Sequence, residues 1–253
     1  MDVLSLCSGI GGLDFFTKSL GWRTVGYVEK ASYRREVLFR RMEDGQLDSA
    51  PIFDDLRTFN GKEWRGLVDC IVGGFPCQPF SKAGKQRGAD DPRNLWPDVY
   101  RVLCEVRPRF AFLENVPGLI HGAYWGTILG DLAEGGFDVR WDCVPAAAAG
   151  ANHLRDRLWI LVTDPTGEGY AEQARQHDTV GRGEQPNGDG QDGPVAHADG
   201  AGLRKPPERS RWWEVEPSVG RVADGVPHWM DRLGSLGDAV VNQQALLAWK
   251  LLS

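Results

Sequence analysis

The chain has 253 residues, 42% of them apolar, which is enough for one sizeable core plus a smaller appendage, and no apolar run reaches the roughly 18 residues that cross a bilayer. A net charge of −6 excludes a uniformly basic nucleic-acid binder, because phosphate affinity comes from Lys and Arg displacing counterions, and leaves local basic clusters as the only footing for such a partner. The five cysteines (Cys7, Cys70, Cys77, Cys104, Cys143) are odd in number and scattered through apolar segments, and no secretion-signal pattern opens the chain, so a reduced, cytoplasmic protein without a disulfide framework is expected.

Over residues 1–163, short apolar runs alternate with longer helical patterns, which predicts a doubly wound α/β fold with a mostly parallel sheet and helical crossovers. Strands are expected at 3–7, 24–28, 69–72, 109–113, 137–144 and 158–162. Between the first two, "GGLDFFTKSLGW" sets Leu13, Phe16 and Leu20 on one helical face and stops at Gly21. "NLWPDVYRVLCEVRP" does the same with Leu95, Val99 and Val102 before Pro108. Across 164–211 the composition turns to Gly, Gln and Asp with almost no apolar residues; such a stretch cannot fill a core and reads as a long loop or disordered region. Apolar pattern returns over 212–253 and ends in an amphipathic helix with Val240, Leu247 and Leu251 on one side.

"LSLCSGIGGLD" is a strand, a Gly-rich turn (Gly9, Gly11, Gly12) and a helix start, a design that lets backbone approach a ligand and aims helix N–H groups at an anionic one. Glu29 ends the next strand, where an acidic residue roughly 20 positions beyond the turn can bind ribose hydroxyls. The pair favours a nucleoside-bearing cofactor without separating NAD from S-adenosylmethionine. Asp55 in "IFDDLRTF" can reach an adenine edge, although its spacing alone fits a cap or surface carboxylate better.

In "GGFPCQPFS", Cys77 lies just past a strand's C-terminal end, where open α/β sheets bind ligands, and Pro76 and Pro79 stiffen the turn that aims its sulfur. This placement suits a nucleophile better than a structural thiol. At an ordinary pKa of about 8.5, nearby cations or helix dipoles would have to raise its thiolate fraction. "FAFLENVPGL" brings Glu114 and Asn115 to the same sheet edge, and "NHLRDRLWILV" brings Arg155 and Arg157, two residues apart and so on one face of an extended strand. Basic clusters occur in "SKAGKQRG" (Lys82, Lys85, Arg87) and in "LRKPPERSRWW" (Arg204, Lys205, Arg209, Arg211).

In identity and order, "SGIGG", "GGFPCQPFS", "LENVPG", "HLRDR" and "LGDAV" resemble the motifs of the DNA cytosine-5 methyltransferases, across most of 1–163 and 212–253. The resemblance implies S-adenosylmethionine as cofactor, DNA as partner, and no metal. It implies addition of Cys77 to C6 of a flipped cytosine, with Glu114 at N3, Arg155 and Arg157 at the thiolate, the base carbonyl and the backbone, and Asn115 positioning Glu114. It assigns Ser8, Gly9, Ile10, Gly11, Gly12, Leu13, Glu29, Asp55, Gly74, Leu95, Asp238, Ala239 and Val240 to the cofactor pocket, with the last helix returning beside the first. It assigns Gln78, Ser81, Lys82, Lys85 and Arg87 to a mobile loop that closes on DNA, and leaves 164–211, with Arg204, Lys205, Arg209 and Arg211, for target recognition.

Three positions depart from the family's pattern. Cys7 stands where an adenine-stacking Phe is usual, His153 where Gln precedes the two arginines, and Asp238 where "GNAV" carries Asn. A carboxylate at 238 leaves lowered activity, changed cofactor choice and simple tolerance open; the first of these makes Asp238→Asn the faster enzyme. The short recognition region leaves a monomer of lax specificity or a partner chain for recognition, and the compactness resembles phage-type enzymes. The rival readings are a tRNA methyltransferase of the same family, a non-catalytic relative, and an NAD-dependent oxidoreductase, the last leaving Cys77 and Glu114 unused.

Overall fold

The computed structural model describes residues 1–76, 94–122, 124–166 and 240–253. Seven strands form one sheet: β1 (Asp2–Leu6), β2 (Arg23–Val28), β3 (Ile52–Phe53), β4 (Cys70–Gly74), β5 (Phe110–Asn115), β6 (Asp138–Pro145) and β7 (Asp156–Thr163). Their spatial order is β3-β2-β1-β4-β5-β7-β6, with β1 to β5 parallel and β7 antiparallel to both of its neighbours. The antiparallel strand has a simple cause. Residues 146–155, a short 3-10 turn and a bend, are too few to carry a crossover back to the sheet's other end.

Among the described residues five helices accompany the sheet: α1 (Gly12–Ser19), α2 (Ser32–Glu43), α3 (Trp96–Val106), α4 (Tyr124–Glu134) and α5 (Asn242–Leu252). The central strands β1, β4, β5 and β7 are largely apolar on both faces, as burial under two helical layers requires, whereas the edge strand β6 is mostly exposed. Leu4, Leu6, Ile71, Leu113 and Ile160 pack against Trp96, Val99 and Leu103 of α3 and Ile128 and Leu132 of α4. The alternate positions Val3, Val72, Phe112, Trp159 and Leu161 pack against Leu13 and Phe16 of α1 and Ala245, Ala248 and Leu252 of α5. A smaller cluster of Tyr27, Leu38 and Leu47 seats α2.

Several expectations change. Leu95 lies ahead of α3 as its cap residue, and Trp96 takes the buried position assigned to it. In α5 the buried side is Gln244, Ala245, Ala248 and Leu252; Leu251 is 59% exposed and Val240 precedes the helix. The small Ala245 and Ala248 face inward so that α5 can come close to α1, whose Phe16 stands 6.3 Å from the Trp249 ring. The pairing of β7 with the β5 side continues past Thr163: buried Asp164 takes an ion pair from Arg107 at 2.7 Å, and its N–H donates to the Arg109 carbonyl.

Asp14, in the first turn of α1, is 1% exposed and has no cation beside it among the described residues. The Ser5 and Thr24 hydroxyls donate to its two oxygens, each at 3.1 Å. Burial pushes its carboxyl up to about 7, with the two hydroxyls opposing that rise. The folded state therefore keeps a proton that the unfolded chain releases near pH 4, so stability falls as pH rises from about 4 to 7, by on the order of a few kcal/mol. Asp14→Asn removes this slope: urea midpoints of the two proteins should diverge in the variant's favour between pH 5 and pH 8, whereas parallel profiles would contradict the assignment.

Candidate functional site

The parallel strands all end at one edge, and the sequence-derived candidates lie along it. After β1 the chain turns through Cys7 (φ 49°), Ser8, Gly9 (φ 59°), Ile10 and Gly11 (φ 87°) into α1. Gly11 needs its missing side chain twice over, for its left-handed φ and because a Cβ there would lie 2.6 Å from the Leu47 side chain. Ser8 is buried and its hydroxyl donates to the Ser5 carbonyl at 3.0 Å, while Arg41 of α2 donates to the Ile10 carbonyl. Val240 reaches the turn from the other end of the chain: a Cβ on Gly12 would lie 3.1 Å from the Val240 backbone nitrogen.

Glu29 directly follows β2 and is buried, with Oε2 accepting from the Gly9 N–H and Oε1 from the Ala31 N–H, both at 2.8 Å. It braces the turn as well as facing the ligand edge, and each oxygen keeps a further lone pair for a hydroxyl. Asp55 accepts from the Arg57 N–H and pairs with Lys30 at 3.1 Å, the local cap and surface pairing that its spacing favoured. Space beside Gly9 is open, its nearest obstacle to a Cβ being the Cys7 carbonyl at 4.0 Å. A tightly braced glycine turn, open on its ligand side and next to an acidic strand end, fits a nucleoside-bearing cofactor.

The second half of the edge is built by β4, β5 and β7. A Cβ on Gly73 would lie 2.8 Å from the Leu6 carbonyl, and one on Gly74 3.1 Å from Glu114 Oε2, so the paired glycines let β1 and the Glu114 carboxylate approach. Phe75 is buried against the Trp96 ring at 5.5 Å, and the Asn115 amide donates to the Phe75 carbonyl at 3.1 Å. The chain is thereby pinned immediately before Pro76, the residue that leads into Cys77. Glu114, at the end of β5, forms an ion pair with Arg157 Nε at 2.6 Å.

Arg155 and Arg157 do not share an extended strand as their spacing suggested. Arg155 has φ 31°, in the left-handed region, and β7 begins only at Asp156. The bend is what breaks the alternation between the two arginines. Three of the described thiols, Cys7, Cys70 and Cys143, are poor rivals for Cys77. Burial pushes Cys7 up to about 12, with Glu29 adding to it, and also raises Cys143 and the fully buried Cys70.

Cys77, Gln78, Ser81, Lys82, Lys85, Arg87, Arg204, Lys205, Arg209, Arg211, Asp238 and Ala239 lie outside the described residues. Among the described residues no group of His, Cys, Asp and Glu could hold a metal, and no helix is long and apolar enough to cross a membrane. Sequence reasoning passed over Phe75 and Gln244. The signal for Gln244 was a polar residue inside "NQQALLAWKLL", where the helical period calls for an apolar one.

Asn115 is 2% exposed, and its Oδ1 accepts from the Val116 N–H at 2.9 Å. Asn115→Asp keeps the shape and this acceptor but sets a carboxylate against the Phe75 carbonyl. A loss of ~1–3 kcal/mol in unfolding free energy is expected. An Asn115→Asp variant as stable as wild type would show that the Phe75 tether carries no weight.

The model of the family described as C-5 cytosine-specific DNA methylase matches residues 1–181. The Type II methyltransferase M.NgoMIV of Neisseria gonorrhoeae is 35% identical over 161 residues, 62% of this chain and 50% of that protein. M.AquIA of Picosynechococcus is 29% identical over 208 residues, 73% of this chain and 84% of that protein. Among solved structures, a DNA modification methyltransferase encoded within an E. coli prophage superposes with a TM-score of 0.56 at 27% identity, covering 66% of this chain and 47% of the other. The chain spans about half the length of M.NgoMIV and of a second gonococcal relative, M.NgoPII.

Proposed function

The chain belongs to the C-5 cytosine-specific DNA methylase family, and on that premise we propose that it transfers a methyl group from S-adenosylmethionine to C5 of cytosine in double-stranded DNA. The observation that carries this reading is the Glu114–Arg157 pair, 2.6 Å apart at the end of β5, beside the pinned β4 exit that leads to Cys77.

The cytosine ring does not react at C5 until a nucleophile adds at C6. The Cys77 sulfur supplies the electron pair of the new S–C6 bond, and the displaced ring electrons run toward N3, where Glu114 places a proton. Arg157 holds the Glu114 carboxyl in position, and Arg155 faces the base and the thiolate. When bound, S-adenosylmethionine supplies an electrophilic methyl group to the activated C5. Solvent water then takes the C5 proton, the C6–S bond breaks with its electrons returning to Cys77, and N3 gives its proton back to Glu114. Ser8 to Leu13, Glu29, Asp55, Gly74, Leu95 and the 238–240 segment would hold the cofactor. Because C6 is shielded in a duplex, the base has to be flipped into the pocket. Lys82, Lys85 and Arg87 serve to close over the backbone, and residues 164–211 to read the target, in a cytoplasmic protein that works as a monomer or with a recognition partner.

The test supplies methyl-labelled cofactor with duplex DNA, the same duplex carrying 5-methylcytosine at every cytosine, and tRNA. Label entering only the unmethylated duplex is the expected result. Label on tRNA alone would replace DNA by RNA as substrate, and no label on either would leave a non-catalytic relative.

A further inference from the structure

Gln244 is fully buried on the inner side of α5, a position where the helix otherwise presents Ala and Leu. Its amide nitrogen donates to two carbonyls, Val144 at 2.6 Å and Arg155 at 2.8 Å. Two acceptors on one side of the amide fix its orientation, since the amide oxygen turned that way would face two carbonyl oxygens. Its own Oε1 is buried without a partner among the described residues. A buried amide left half-satisfied costs about 1–3 kcal/mol, so what its other half does has to offset that cost.

What it does is close the β6–β7 connection. Val144 is the penultimate residue of β6, and Arg155 is the last residue before β7. Inside the connection, Ala146 N–H donates to the Leu154 carbonyl at 2.7 Å and Ala151 N–H to the Ala146 carbonyl at 3.1 Å. These bonds shape the turn but do not reach the Arg155 carbonyl, and the left-handed backbone of Arg155 is unfavourable for a residue with a side chain. A bond to this carbonyl comes from outside the turn, from α5. The same C-terminal segment begins at Val240, packed on Gly12 of the cofactor turn.

We propose that Gln244 is a positioning residue for Arg155: it ties the C-terminal helix to the arginine's backbone, so that the segment closing the cofactor turn also sets the arginine that faces the base. This rests on the function proposed above. A side chain misplaced by about 1 Å can lose roughly 100-fold in rate without loss of binding.

The test measures covalent trapping of 5-fluorocytosine duplex in single turnover, in Gln244→Met, Arg155→Ala and the double variant, with cofactor affinity and thermal unfolding followed in each. Methionine keeps the volume and removes the donor. The expected result is a fall of about 10- to 100-fold in trapping for Gln244→Met with cofactor affinity within about threefold, and little further fall when it is added to Arg155→Ala. Equal falls in both backgrounds, or none in either, would overturn the proposal. Should Gln244→Met fail to fold, Gln244→Asn, one methylene too short to reach both carbonyls, takes its place under the same criteria. If Arg155→Ala itself traps at the wild-type rate, it is the catalytic reading of Arg155 that fails and not the tether.

Discussion

Cys77→Ser is expected to abolish methyl transfer, with a rate loss on the order of 10⁴-fold or more. Sulfur is the better nucleophile because a thiol near its ordinary pKa of about 8.5 is already partly ionised at neutral pH, whereas a serine hydroxyl has to be deprotonated during attack. Glu114, next to the β4 exit, is paired with Arg157, and in the proposed mechanism it serves N3 of the base, so it offers serine no base. The measurement is transfer of labelled methyl to cytosine duplex, with unfolding midpoints compared to exclude a folding defect. A serine enzyme within about tenfold of wild type would mean that no thiol adduct lies on the path.

Glu114→Gln is expected to lower single-turnover transfer by about 10²–10⁴-fold, the usual range for loss of a positioned proton donor. Glutamine fills the same space beside Gly74, where Glu114 Oε2 stands 3.1 Å from a Cβ built on the glycine, and can still accept from Arg157. It cannot deliver a proton to N3, so electrons pushed onto the ring by the sulfur stay uncompensated. Cofactor affinity should change little, because the cofactor turn is braced by Glu29 and Arg41 rather than by Glu114. A variant that loses cofactor binding and rate in proportion would instead place Glu114 in the pocket's construction.

Much of this was legible in the sequence because local chemistry and global position agreed. β1, β4 and β5 are largely apolar on both faces, so their runs stand out, and β4 ends in Gly74 and β5 in Asn115 at the ligand edge. α2 was not legible, since Leu38 is its one fully buried side chain and the rest of its twelve residues are polar or half-covered. β3 has two residues, too few for any period. The antiparallel β7 was missed although the short 146–155 connection already ruled out a crossover. Arg155 could not be placed from its i, i+2 spacing, because a left-handed residue just before the strand breaks the alternation the spacing assumes. Gln244 showed only as a polar residue at an apolar helical position: its partners are backbone carbonyls 100 and 89 residues away, which no side-chain pattern reports.

The central claim is a covalent bond from this chain to the base, and one measurement tests it most directly. Wild-type protein incubated with S-adenosylmethionine and a 5-fluorocytosine duplex should form a denaturation-resistant adduct, and mass spectrometry of its peptides should place the modification on Cys77. An adduct mapped to another residue, or no adduct while cofactor binding is intact, would contradict the account.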